Sequence, residues 1–133
     1  MIVAVADTHA VIWYLTPDQR LSATARSFMN AASAQGNQIA VSSISMIELV
    51  YLVEKGRIPP EGFSSLASAL SLKRGTLIEM PIDLSIARAL AKVDVQQIAD
   101  MPDRIIAATA FHLNVPLISR DGKIRLSTIQ TIW

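Results

Sequence analysis

The chain has no cysteine, no long apolar run and no excess of one charge. Without Cys there is no disulfide scaffold, no thiolate zinc site and no cysteine nucleophile, and a reducing compartment is compatible with the composition. The apolar stretches, such as Met1 to Ala6 and Ile105 to Phe111, stop well short of the ~18 residues that a membrane span needs. No Lys or Arg precedes the first stretch and Asp7 ends it, a layout unlike that of a secretory signal. The expectation is a soluble, cytoplasmic protein with no membrane contact. Twelve Lys and Arg against eleven Asp and Glu leave a net charge of +1, which excludes a nucleic-acid binder that works by bulk basicity. Any such role needs a local site.

What the chain does have is apolar substance: 51% of its 133 residues are hydrophobic and 17% charged, with a mean hydropathy of +0.38. Disorder is excluded by that balance. We expect a single domain over residues 1–133, long enough to hide roughly two-thirds of the surface of its unfolded form.

Met1 to Ala6 is a continuous, partly β-branched run and reads as a strand, followed after Asp7-Thr8 by a helix from His9 to Leu15. Leu21 to Ala34 carries apolar residues at helical spacing and stops at Gly36-Asn37. Gln38 to Ser42 reads as a second strand, leading into a helix from Ser43 to Val53 that Gly56 closes. Pro59-Pro60 precedes a helix from Glu61 to Leu72, Thr76 to Met80 is a short strand, and Asp83 starts a helix over Leu84 to Lys92. Asp100-Met-Pro-Asp103 leads into a helix from Arg104 to Leu113 that Asn114 ends. Val115 to Ile118 and Thr128 to Ile132 complete the strands. Strands alternating with helices predict an α/β protein: three α/β/α layers around a mainly parallel sheet of about four to five strands, because parallel strands need crossovers that cover both faces.

Ligands of such sheets bind beyond the carboxyl ends of the strands. Asp7 follows the first strand directly, Glu48 lies one to two turns into the helix after the second, and Asp121 follows the Val115 to Ile118 strand. Periodicity does not place Asp103, in the first turn of its helix, at the same edge. Each acid also has an ordinary role open to it. Asp7 can cap a helix, Glu48 can close a Ser45-x-x-Glu48 capping box, Asp103 can meet a helix dipole, and Asp121 can hold an Asp-Gly turn. Glu48 fits its ordinary role least well, since Met46 to Val53 is so apolar that an inward acid would need a partner. Carboxylates brought within a few ångströms of one another need a neutralising cation or else take up protons. A purely carboxylate donor set selects a hard ion such as Mg2+ or Mn2+ over zinc.

Four segments, Asp7-Thr-His-Ala-Val-Ile-Trp-Tyr-Leu15, Ser42-Ser-Ile-Ser-Met-Ile-Glu48-Leu, Pro102-Asp103-Arg-Ile-Ile-Ala-Ala-Thr-Ala110 and Leu117-Ile-Ser-Arg-Asp121, resemble in order the acidic blocks of the PIN domain. The length, the Asp-Thr-His-Ala opening, Glu54-Lys-Gly-Arg-Ile58 and the Asp100-x-x-Asp103 block are similar to the VapC toxins of type II toxin–antitoxin pairs. The resemblance implies an endoribonuclease dependent on Mg2+ or Mn2+, with Asp7, Glu48, Asp103 and Asp121 as catalytic and metal-holding acids in one pocket. It also implies a neutralising antitoxin as partner and commonly a homodimer. Ser119 stands where the family often has Thr, and Asp100 matches a frequent acid, read here as a helix cap or a support to the four. Thr8, Ser119, Asp100, Arg104, Arg120 and Lys123 are candidates for supporting the acids or touching substrate, with Arg125 nearby. Those cations are placed where an RNA phosphate could approach. Trp13, Tyr14, Leu49, Leu52 and Val53 read as core, and His9 and His112 are assigned no catalytic part. Two competing readings keep the fold: a PIN-like module that binds RNA or protein without cutting, and a receiver-like Mg2+-binding signalling domain, which would want an acid pair where Asp7 stands alone.

Overall fold

The computed structural model describes residues 1–125 and 127–133. Five parallel strands form the sheet: β1 (Ile2–Ala6), β2 (Gln38–Ser42), β3 (Leu77–Met80), β4 (Leu117–Ile118) and β5 (Thr131–Ile132). Their order is β3-β2-β1-β4-β5, so the chain winds outward from β1 in one direction and then returns to wind in the other. The reversal leaves a crevice at the carboxyl end of β1, between its neighbours β2 and β4.

Alternation along each strand builds two cores. Ala4, Ala6, Ile39, Val41, Leu77 and Ile118 face one side. There they meet α1 (Thr8–Leu15), α2 (Ala23–Ala34), Leu49 of α3 (Ser43–Glu54) and Leu66 of α4 (Pro60–Leu70). Val5, Ala40 and Leu117 face the other side, under α5 (Leu84–Leu90), α6 (Met101–Leu113) and Ile124 of α7 (Gly122–Arg125). The side-chain period of two thus serves both faces, and β1, the Ile39 to Val41 stretch of β2 and β4 read as apolar runs because both their faces are covered, whereas the outer β3 exposes Glu79. This is the three-layer α/β/α architecture expected.

Several boundaries differ from the expected ones. The sixth helix begins at Met101, not Arg104, because the Asp100 carboxylate accepts the Asp103 N–H at 3.1 Å and Pro102 lies in the first turn, where its missing N–H costs nothing. The capping box at Ser45 does not form: Ser42 is the N-cap of α3, accepting from the Ile44 N–H at 3.2 Å, and Glu48 is left for another partner. Asp121-Gly122 is not a simple turn but the start of α7. The strand expected over Thr128 to Ile132 shrinks to Thr131–Ile132. Asn114 ends α6 in the left-handed conformation (φ 54°), as its residue type suggested. Among the described residues no helix is long and apolar enough to cross a membrane.

Candidate active site

Asp7, Asp103 and Asp121 reach the crevice through helix starts. Asp7 directly follows β1 and caps α1, its Oδ1 accepting the Ala10 N–H at 2.8 Å. Asp121 follows β4 and Ser119, and its Oδ1 accepts the N–H groups of Lys123 and Ile124 at 2.8 and 3.3 Å. The ordinary capping role and a place at the strand ends are therefore compatible, since a cap occupies one carboxylate oxygen and leaves the other free. Glu48 comes from α3 and Asp103 from the first turn of α6. All four line one cleft of about 410 Å3, joined by Asp100. The entry to α6 does bring Asp103 over the same edge as the others, the step that periodicity alone left open.

Two buried hydroxyls order the floor. Thr8 is 3% exposed; its Oγ1 donates to Glu48 Oε1 at 2.5 Å and bonds Ser45 Oγ at 2.8 Å, tying α1 to α3 and fixing one oxygen of Glu48. Ser119 is fully buried, accepts the Asp121 N–H at 3.0 Å, and lies near enough to Asp7 for its hydroxyl to favour that residue's charged form. One hydroxyl thereby links the acids after β1 and β4.

Burial and mutual repulsion push the acids upward. Loss of hydration raises the Asp7 carboxyl above its ordinary range, against the opposing hydrogen bonds from Ser119 and Ala10. Glu48 is raised first by burial, against the Thr8 hydrogen bond, with Asp100 and Asp7 adding repulsion. Asp103 moves furthest, to about 7, through burial and then the charges of Asp100, Asp121, Glu48 and Asp7. A proton or a cation must enter such a site near neutral pH.

The donor chemistry suits a hard cation, since every acid offers oxygen. Among the described residues, however, no group of three or more His, Asp or Glu is arranged to enclose a metal by itself.

The supporting residues divide. Thr8, Asp100 and Arg120 line the cleft, and Lys123 lines a shallow groove beside it with Arg120 and Asp121. Arg104 does not face the cleft: its Nε and Nη2 donate to the Val93 and Leu90 carbonyls at 3.1 and 3.0 Å. It ties down the last carbonyl of α5, at Leu90, and the loop that follows, at Val93, so its expected place in substrate contact is corrected. Arg104→Ala is expected to lower stability by about 1–3 kcal/mol while leaving the salt dependence of RNA binding unchanged; denaturant unfolding and binding titrations check both halves. Arg125 is exposed on α7. Sequence reasoning missed three lining residues: Arg20, Trp13 and His9. Trp13 is buried, as a core residue should be, yet it also forms part of the cleft wall. Arg20 sits in the loop after α1, where no periodicity reports its position. His112 lies elsewhere, exposed late in α6.

A family model described as the PIN domain matches residues 4–126. The chain belongs to the PIN domain family. Ribonuclease VapC22 of Mycobacterium tuberculosis is 28% identical over 125 residues, covering 94% of this chain and 92% of that protein. The fold of this PIN domain is shared with VapBC2 from Rickettsia felis, solved bound to a DNA fragment from its promoter (TM-score 0.72, 18% identity, 98% of this chain and 97% of that one). It is shared too with a toxin–antitoxin complex from Klebsiella pneumoniae (TM-score 0.68, 24% identity, 98% and 96% covered). Those two likenesses concern architecture. The PIN domain's acidic cleft is the feature that bears on chemistry.

Proposed function

We propose that this PIN domain is a metal-dependent endoribonuclease and the toxin of a type II toxin–antitoxin pair. The observation that carries the reading is the convergence of Asp7, Glu48, Asp103 and Asp121 on one cleft at the switch point of the sheet. The ribonuclease relative of matching length supports it.

In this reading Asp7 and Asp121 would hold Mg2+ or Mn2+ directly and Asp103 through one of the ion's waters, with Glu48 as a further water-holding acid or as base. The bound ion supplies neutralising charge at the scissile phosphate and lowers the pKa of a water. The chain's own residues do the rest. Thr8 fixes one oxygen of Glu48 and leaves the other to take a proton from an attacking water, a task suited to a carboxyl raised above its ordinary range. Ser119 keeps Asp7 and Asp121 in register. Arg120, exposed at the cleft, meets the phosphodiester, and Lys123 extends that contact along the neighbouring groove.

An antitoxin is the partner we propose, acting where the RNA is, in the cytoplasm. Support comes from the toxin–antitoxin complexes that share the fold. A groove of about 520 Å3 beside the cleft, with Ile12, Leu52, Ile58 and Pro59 in its wall, offers an apolar seat that shares Trp13 and Arg20 with the active site. For the homodimer, the support is the uncovered apolar face of α3, where Ile47, Val50 and Tyr51 are exposed.

The test is cleavage of a total-RNA mixture by purified, partner-free protein with Mg2+, Mn2+ or EDTA. Discrete products that need the metal are expected. Folded protein that binds metal and cuts no RNA would sink the nuclease and favour a PIN domain that only binds.

A further inference from the structure

Trp13 is only 4% exposed, yet two guanidinium groups lie over its indole, Arg120 at 4.6 Å and Arg20 at 4.9 Å from the ring centroid. His9 and Trp133 pack against it as well, with centroids at 5.4 and 6.0 Å. A guanidinium within about 6 Å of an indole centroid is attracted to the negative face of the ring, and Trp is the strongest aromatic partner for it. So little exposure leaves no open face on which a nucleobase could stack.

The two arginines differ in their charge partners. Arg20 is neutralised by Asp18, to which its Nε and Nη2 donate at 3.0 and 2.7 Å. Arg120 precedes Asp121 in the chain and shares the cleft with five carboxylates, but among the described residues the only salt bridge is Arg20–Asp18. A guanidinium on a flexible stem beside five acids would ordinarily fall onto them, because a fork of donors matches a carboxylate well. What holds it away is the ring.

We propose that Trp13 is a positioning residue that keeps the Arg120 guanidinium off the cleft carboxylates, so that opposite charges stand in one pocket without cancelling each other. The ribonuclease reading supplies the use of this arrangement: acids left free for a cation and a guanidinium left free for a phosphodiester. The separation itself concerns only this chain's side chains.

The test is Mn2+ affinity, read from the free-ion paramagnetic resonance signal of the full chain. In Trp13→Leu, Arg120 loses its seat, drops onto the acids and competes with the ion. Mn2+ binding is expected to weaken about fivefold, the scale of one partly exposed ion pair that the metal must displace. Adding Arg120→Ala to Trp13→Leu restores the affinity to that of Arg120→Ala alone, a rescue that mere loss of packing would not show. Arg120→Lys approaches the question from the surface. Its ammonium keeps the charge attraction to the ring but loses the flat face that stacks, so Mn2+ binding weakens in the same direction, by less, without any change to the core, and this variant decides if Trp13→Leu does not fold. A folded Trp13→Leu with wild-type affinity, a loss that Arg120→Ala does not rescue, or an unaltered Arg120→Lys would each overturn the proposal. An RNA cleavage assay beside it separates the two levels. The expected Mn2+ pattern with no cleavage by wild type supports the Trp13 role and removes the ribonuclease. Cleavage with Mn2+ affinity indifferent to Trp13 and Arg120 removes the Trp13 role alone, and a wild-type chain that binds no Mn2+ overturns both.

Discussion

Asp7→Asn or Asp103→Asn is expected to cut metal-dependent RNA cleavage by about a thousandfold or more, the scale of losing several kcal/mol of charge stabilisation at a phosphoryl centre. The fold should survive both changes. Asn accepts the Ala10 N–H at position 7 as well as Asp does, because the two are equivalent N-caps. Position 103 uses its own N–H, not its side chain, in the cap of α6. Initial cleavage rates in Mg2+, with circular dichroism melts of the same samples, check the result. Full activity in either variant would remove that acid from the chemistry.

The second large effect is on stability, and its sign follows from the raised carboxyls. Asp103 titrates at about 7 in the folded chain against an ordinary 3.8. Between those values the folded state holds more protons than the unfolded one, so the metal-free chain loses stability as pH rises from about 4 to about 7. Asp7 and Glu48 are raised too and act in the same direction. Asp18 has the opposite sign, held down at about 2 first by its hydrogen bond with the Arg20 side chain, but its contribution is lost only below about pH 4 and does not enter this window. In EDTA the thermal midpoint should therefore be higher at pH 5 than at pH 8. Asp103→Asn should raise the midpoint at pH 8 by a few degrees, about 4 °C for each kcal/mol recovered in a domain of this size, and flatten the pH dependence. Saturating Mg2+ should do the same to wild type by replacing protons with a cation. A midpoint that rises with pH in EDTA would contradict the charge crowding.

These two results pull against each other at one residue, since the substitution that removes activity should strengthen the resting fold. That conflict bears on how the site was legible at all. Glu48 stood out because its surroundings in α3 are too apolar for an idle acid, and the structure gives it the Thr8 hydroxyl as partner. The central strands β1 and β2 were legible because two-sided burial turns them into β-branched apolar runs. The same runs hid which residues face which core, since both faces are apolar. Helix α7 was not legible: Asp-Gly is a turn signal by local chemistry, and the cap that Asp121 gives to the Lys123 and Ile124 N–H groups favours helix only together with the burial of Ile124 against the second core. Arg104 could not be placed, because its carbonyl partners lie at the end of α5 and in the loop after it, and that meeting is tertiary. Trp13 was legible as core and opaque as cleft wall. Its second role exists only where the loop carrying Arg20 and the Ser119-Arg120-Asp121 corner come together.

The sheet margins carry a last consequence. The outer strands β3 and β5 are four and two residues long, so neither margin presents more than a few main-chain donors and acceptors to an incoming strand. A peptide that added itself as a sixth strand would gain few ladder bonds, and fibril-like stacking through these margins is similarly poor. Proteins that associate with this chain must read side-chain surfaces of its helices and the mouth of its cleft, and selectivity among related partners would then follow helix-face residues while the sheet stays constant.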